Sequence, residues 1–406
     1  MNILLINHYA GSPEMGMEFR PYYLAREWVK IGYHVRIVAG DYSHLRVKNR
    51  KINKDFQKET IDGIDYYWLK TGDYKGNGAR RAFTMFRFVG KLWLNAGKIA
   101  MEWKPDVVIA SSTYPLDTYA AQKIAKKAGA KLIHEVHDMW PATLYEVGGM
   151  SRKNPFVVLM QKAEDSAYRY SDKVVSLLPF AKEYMVNHGM RPDKFMYISN
   201  GIVEAEWSNA EKLPEKHKNF LAEKRAEGKF IVGYFGGHAI SNALDTLLDA
   251  AKQIEDSSVV FVLVGNGVEK ERLCLRKQEE KIDNLFFLPP VPKKSVPELL
   301  KFFDCIYIGA KDSPLYRFGI CMNKIFDSMM GEKPIICAIT TPESPIEQYK
   351  CGIAINSGDE RRIAQSVLEI KGMSIEVRNS IGRNGREAAL KKFTYKKLAA
   401  DFAALF

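Results

Sequence analysis

Two stretches carry residue types at spacings suited to a charged, hydroxyl-rich ligand. The first is "GAKDSPLYRFGICMNKIFDSMMGEKPII", Gly309 to Ile336. Its pattern predicts a helix over roughly 319–330 that begins at Phe318, Gly319 and Ile320. Free backbone N–H groups and the positive dipole end could hold a phosphate there. Asn323 and Asp327 stand at i and i+4 with Lys324 between them, and helical side chains lean toward the N-terminus. Asp327 is thus placed to accept hydrogen bonds from a ribose diol. Lys324, then Lys311 and Arg317, are the cations available to balance a diphosphate. The same spacing also fits a half-exposed helix whose Lys324 and Asp327 simply face water.

The second stretch, "LIHEVHDMWP", places His134, Glu135, His137 and Asp138 at the end of an apolar run. Side chains alternate along a strand, so Glu135 and His137 share a face. His137 and Asp138 are the candidates for catalysis, against the plainer reading of a structural histidine at a strand end. A third loop, "NHYAGSPEMGMEFR", follows the run Ile3–Ile6 and contains Gly11 and Gly16. Met17 and Glu18 stand where a P-loop needs lysine and a hydroxyl, and no Gly-x-Gly-x-x-Gly follows the strand. What remains is a glycine-bearing turn at the edge where open α/β sheets place ligands.

The elements that must position these groups are legible as short Val- and Ile-rich runs between helical patterns. Runs at 3–6, 35–38, 107–110, 132–136 and 174–177 are apolar on both faces, which suits buried parallel strands of one doubly wound α/β domain. Residues 204–228 turn charged and contain Pro214, and read as a linker with a surface helix. The alternation then restarts at 231–235, 259–264, 285–288, 305–308 and 334–338. The expected architecture is two Rossmann-like domains, 1–203 and 229–393, facing across a cleft, with a final helix over 394–406 packing back on the first.

At 406 residues, two domains are the natural expectation. A net charge of +12 favours an anionic partner. No nucleic-acid recognition motif accompanies it, so nucleic acid is not expected. The five cysteines form no C-x-x-C pair, and no Asp-x-Asp occurs, so neither a zinc site nor a carboxylate-bridged metal is implied. No signal peptide is visible, and the longest apolar-aromatic stretch, 83–103, is interrupted by Arg87, Lys91 and Lys98, which argues against a spanning helix. In the segment 80–104, Arg80, Arg81, Arg87 and Lys91 interleave with Phe83, Phe86, Trp93 and Leu94, as an interfacial helix would against anionic lipid. An ordinary surface helix is the alternative.

The segment Gly309–Ile336 resembles the donor-binding segment of the family 4 glycosyltransferases of GT-B architecture, in the branch of surface-polysaccharide and O-antigen sugar transferases. The likeness extends over nearly the whole chain through the opening loop, "HDMWPATLYEVG", "YISNGIVEAEW", "YFGGHAISNALDTLLDAA", "VGNGVEKERL" and "VPKKSVPELL". It implies a retaining, metal-independent transfer from a nucleotide-sugar, a UDP-sugar first of all, to a polyprenyl-diphosphate-linked saccharide, with no cofactor. It implies a protein peripheral to the cytoplasmic face of the cell membrane. By the same resemblance His137 contacts the transferred sugar, Gly16 lets donor sugar approach, and Glu14, Glu18 and Arg20 face the acceptor. The chain departs from the family pattern at Gly319, where the first of two glutamates is missing, and at Gly237 and Asn242, which match positions often held by Arg and Lys. A nucleotide-sugar epimerase of the same architecture and a non-catalytic nucleotide-sugar-binding scaffold are the alternatives.

Overall fold

The computed structural model describes residues 1–16, 19–74, 76 and 78–406, apart from the side chain of Phe19. It divides the chain into two units, 1–200 with 395–406, and 201–394.

The first unit holds β1 (Asn2–Ile6), β2 (His34–Gly40), β3 (Gln57–Ile61), β4 (Ile64–Leu69), β5 (Val107–Ala110), β6 (Lys131–Val136), β7 (Lys173–Ser176) and β8 (Phe195–Tyr197). They form one sheet in the order β3-β4-β2-β1-β5-β6-β7-β8. The β3–β4 hairpin is antiparallel and the other pairs are parallel. Strand order reverses at β1, between β2 and β5, so the ends of β1 and β5 flank the crevice where such sheets bind ligands. Apolar residues of β1, β2 and β5 pack under the helices Ala79–Leu94 and Asp117–Ala128.

The second unit holds β9 (Phe230–Gly237), β10 (Val259–Asn266), β11 (Leu285–Leu288), β12 (Cys305–Gly309), β13 (Ile335–Ala338) and β14 (Gly352–Ile355), all parallel, in the order β11-β10-β9-β12-β13-β14. β9 stays in register with β10 to its last residue, Gly237 opposite Asn266. Its ladder with β12 ends at Gly233 opposite Ile306. Beyond that rung the two strands part, and the switch point opens.

Residues 204–228 differ from the expected linker. They form the helices Glu204–Ser208 and Glu215–Ala226, and Leu213 and Leu221 are buried in the second unit's core. The imidazole of His217 lies 2.8 Å from Pro289 O. Apolar anchors at 213 and 221 are too sparse to show a strand or helix period, which hid their burial. The C-terminal helix Tyr395–Ala403 lies on the helix Phe19–Lys30: Trp28 Nε1 donates to Ala399 O at 2.9 Å, and its ring meets Phe402 and Phe406. The segment 80–104 forms two helices, Ala79–Leu94 and Ala96–Trp103, separated at Asn95. Among the described residues no helix is long and apolar enough to cross a membrane.

Candidate functional site

In the second unit the polar groups collect where β9 and β12 part. The α-helix expected from Gly319 begins instead at Asn323 and runs to Met330. Pro314–Phe318 is a 3-10 turn capped by Ser313, Gly319 takes φ +95°, and Phe318 and Ile320 are buried. A proline near the start of that turn and a left-handed glycine after it delay the helix. The expected phosphate-binding end therefore lies at Asn323 and Lys324. No side chain caps this helix; the Ile325 amide donates to Met322 O, which leaves those of Asn323 and Lys324 to meet an anion.

Lys324 is the cation at that end. Its Nζ donates to Tyr234 Oη at 3.0 Å and sits 4.2 Å from the ring centroid. A Cβ on Gly236 would come within 3.1 Å of Lys324 Cε, so the lysine lies across the exposed end of β9. No carboxylate pairs with it among the described residues, and burial lowers its pKa to about 8. Tyr234 Oη in turn donates to Gly237 O at 2.5 Å, and Asn242 Nδ2 donates to the same carbonyl at 2.8 Å. Asn242 thus braces the glycine turn and supplies no cation. Next in the chain, the buried His238 has both ring nitrogens unpartnered among the described residues. Burial first, then the charges of Lys270 and Lys324, lower its pKa to about 4, so it is neutral.

Asp327 is pushed up to about 6 by burial, with Lys293 and Glu206 as the neighbouring charges. Its carboxyl makes no hydrogen bond among the described residues, which suits an acceptor for a diol. Lys311 and Asn323 have exposed side chains, and the Lys311 amide donates to Ser241 O at 2.9 Å. Arg317 lies over the Phe318 ring at 4.2 Å and donates to Pro314 O at 2.6 Å.

In the first unit the polar groups close on one another. Glu135 is fully buried at the end of β6 and pairs with Arg20 at 2.9 Å. Its other oxygen accepts from Ser111 Oγ at 2.6 Å and lies 3.0 Å from His137 Nε2. Ser111 Oγ spends its hydrogen on Glu135, so at 2.9 Å from His137 Nε2 it accepts. Nε2 of His137 therefore carries the proton, and Nδ1 is the nitrogen that faces elsewhere. Despite the desolvation of Glu135, the Arg20 charge, with hydrogen bonds from His137 and Ser111, holds its carboxyl well below the usual carboxylate range.

Arg20 was expected at the acceptor. It is buried instead, with its remaining donors on the carbonyls of Ile198 and Ser199, because a guanidinium taken from water requires this many partners. Asp138 accepts from the Met139 amide at 2.9 Å and Thr143 Oγ1 at 3.2 Å, and burial raises its pKa. Through Oδ1 it braces the loop after β6. Gly16 takes φ +82°, and a Cβ there would lie 2.9 Å from Val47 Cγ2, so backbone geometry accounts for this glycine. Glu14 is exposed with Arg50 at 3.7 Å, and Glu18 lies outside the described residues.

Of the basic residues expected at a membrane, Arg80 is exposed. Arg87 is exposed and stacks on Phe83 at 4.6 Å. Lys91 is tied to Asp55 at 2.7 Å and to Lys70 O. Arg81 turns toward the loops of the first unit, over Tyr9 at 5.3 Å and Trp140 at 5.9 Å. Trp93 is half exposed. One metal-compatible cluster, Glu164, Asp165 and His188, occurs among the described residues. Gln161 Nε2 lies 2.7, 2.8 and 2.9 Å from its three ligand atoms, so an amide occupies the centre.

Tyr234, His238 and Ser111 were not singled out as site residues, and the pairing of Arg20 with Glu135 was not foreseen. His238 directly follows the glycine pair, the one local signal that could have marked it. The network's members lie up to 115 positions apart, and no local pattern records that.

Two family models match the chain, "Glycosyl transferase 4-like domain" over residues 15–201 and "Glycosyl transferases group 1" over residues 215–388. The chain belongs to the glycosyltransferases. Within this family it is 24% identical over 220 residues to glycosyl transferase WcaI of Escherichia coli K12, named for colanic acid biosynthesis, covering 52% of this chain and 54% of that one. It is 21% identical over 269 residues to glycosyltransferase WbjE of Pseudomonas aeruginosa, covering 64% and 63%. The match thus spans less than two thirds of either curated relative. The solved structure of HepE from Anabaena in complex with UDP superposes with a TM-score of 0.68 at 15% identity, covering 100% of this chain and 99% of that one. The fold is that of the GT-B glycosyltransferases, two Rossmann-like domains in one chain.

Proposed function

We propose that this protein transfers a sugar from a UDP-sugar to a polyprenyl-diphosphate-linked saccharide in cell-surface polysaccharide assembly, working at the cytoplasmic face of the membrane. The observation that carries the reading is Lys324: a partly buried ammonium without a carboxylate partner, at an uncapped helix start, against an exposed glycine turn. Such a cation is balanced when a diphosphate arrives. Asp327, without a hydrogen-bond partner among the described residues, takes the ribose diol.

In the reaction the bond from the sugar's anomeric carbon to the β-phosphate oxygen breaks, and a bond to the acceptor hydroxyl oxygen forms on the same face. The acceptor proton passes to the departing diphosphate oxygen. Lys324 and the helix N-terminus stabilise the charge that develops there, which lets the step proceed without a metal. His137, fixed through Nε2 by Glu135 and Ser111, presents its other edge to the sugar. The exposed side chains of Phe83, Phe86, Trp93 and Leu94, with Arg80 and Arg87, favour contact with an anionic membrane.

A thermal-shift series with UDP, ADP, GDP and UDP-sugars tests the donor site, since a ligand that binds only the folded state raises Tm. UDP is expected to raise it, and Lys324→Met to abolish the rise. No response to any of these nucleotides at millimolar concentration would overturn the reading. Product analysis with donor alone separates transfer from epimerisation, because only an epimerase accumulates the rearranged nucleotide-sugar.

A further inference from the structure

The helix Ala79–Leu94 is apolar on two opposite faces. Met85, Phe88 and Leu92 are buried on one. On the other, Phe83, Phe86, Gly90, Trp93 and Leu94 recur at helical spacing. Its four large side chains remain 57, 43, 47 and 76% exposed in that chain order, glycine aside. One such stripe satisfies a surface helix, and the second asks for a partner.

From Phe86 onward this stripe, with Val89, is one wall of a groove of about 510 Å³, and Phe83 lies one turn before it. The opposite side is formed by Leu116 and Tyr119, at the start of the helix Asp117–Ala128, and by Leu159 of the helix Pro155–Tyr170. Gly90 lies in the lining. Glycine inside a helix is destabilising, and close packing is its usual reason. Here a Cβ would meet nothing within 4 Å. The missing side chain leaves room in the groove and serves no contact within the protein.

The charges on this helix have one sign, while Asp165 acts on Tyr119 at the opposite wall. The helix contains no acidic residue. Arg87 stacks on Phe83 within the stripe, and Lys123 Nζ sits 3.2 Å from the Trp93 ring centroid. At the helix's first turn, Arg80 is exposed and Arg81 reaches Tyr9 and Trp140, in loops that follow β1 and β6. The stripe from Phe83 to Leu94 runs about 17 Å away from that turn. A flat bilayer surface needs only a convex apolar face; a concave channel with a basic head end fits a single hydrocarbon chain bearing an anionic head.

We propose that the groove seats the hydrocarbon chain of the acceptor lipid, with its diphosphate at Arg80 and Arg81. The inference rests on the proposed transfer to a lipid-linked saccharide and specifies where that lipid is held.

The test uses the full chain and phosphatidylcholine vesicles carrying either a long-chain polyprenyl diphosphate or a charge-matched amount of phosphatidylglycerol, with free pyrophosphate as competitor. The polyprenyl vesicles are expected to bind about tenfold more tightly or better. Gly90→Leu, which fills the groove, and the pair Trp93→Ser with Leu94→Ser are each expected to reduce that binding to the phosphatidylglycerol level. Gly90→Leu is expected to leave Tm unchanged or higher, which separates blockage from misfolding. Equal binding to both vesicle types would mean a charged surface only, displacement by pyrophosphate together with native-like binding by the Trp93→Ser, Leu94→Ser pair would mean a headgroup site only, and native-like binding by Gly90→Leu would mean an empty groove. Each overturns the proposal. The assay contains no nucleotide and reads no turnover, so its failure is distinct from failure of UDP to raise Tm.

Discussion

At the end of β6, a glutamate without solvent exposure meets an arginine at 2.9 Å, a serine at 2.6 Å and a histidine at 3.0 Å. At the end of β9, a lysine meets one phenol at 3.0 Å and no carboxylate among the described residues. Both centres sit at carboxyl ends of parallel strands, and both take charge out of water. The first is complete by itself, so its groups are fixed before any ligand comes and its histidine has one available edge. The second carries an uncompensated cation and an unpartnered imidazole, and becomes electrically complete only with an anion. A closed charge network positions, and an open one binds.

The strongest way to break this comparison is to open the closed centre. Arg20→Met strands Glu135 and is expected to destabilise the first domain by about 3–5 kcal/mol, read from its urea transition. Because the paired Glu135 has a folded-state pKa below its unfolded value, its contribution is complete above that unfolded value and lost as pH falls. Arg20→Met should flatten that acid dependence, and a variant as stable and as acid-sensitive as the native chain would refute a positioning role for the network.

Closing the open centre should act in reverse. Lys324→Met is expected to weaken UDP binding by about 1.5–3 kcal/mol, read by calorimetry. The same change should stabilise the unliganded second domain by roughly 1–3 kcal/mol, since a lysine lowered from 10.5 to about 8 is held in the fold at a cost. That cost is full below pH 8 and relieved as pH rises toward the unfolded value. A destabilised Lys324→Met would show that the lysine has a structural partner after all.

The open centre should also titrate. In the free protein Lys324 is charged below about pH 8, and the diphosphate selects the charged form. UDP affinity is therefore expected to be flat between about pH 7 and that value, and to fall above it by up to about tenfold per pH unit, about 1.4 kcal/mol. The titration should vanish in Lys324→Met. The smallest expected effect lies outside both centres: Gly16→Ala, at φ +82° and against Val47, should cost about 1–2 kcal/mol of stability with UDP affinity unchanged. A selective loss of donor binding there would return Gly16 to the ligand.

Most strands of both sheets were legible because buried parallel strands are apolar on both faces, as in Ile3–Ile6 and Val259–Val264, whereas β3, β4, β8 and β14 were not. Lys324 was legible as a cation near a helix start, and Glu135 and His137 as neighbours on one strand face. The start of the Lys324 helix was not, since Pro314 and Gly319 fit equally well inside a loop or at a helix start until the 3-10 turn is seen. Lys91 read as a membrane contact because its partner, Asp55, is distant in sequence. Leu213 and Leu221 read as linker because two apolar anchors among charges show no period.

The early end of the β9–β12 ladder has a mechanical consequence. Among the described residues the β9–β12 seam has ladder rungs at Val232 and Gly233, preceded by the bond from the Asp304 amide to Ile231 O. A molecule that bridges Gly236–Gly237 and the start of the Lys324 helix would lace the seam shut. Amide exchange at residues 234–237 and 307–309 should then slow when UDP is bound, so that donor occupancy would register as stiffness.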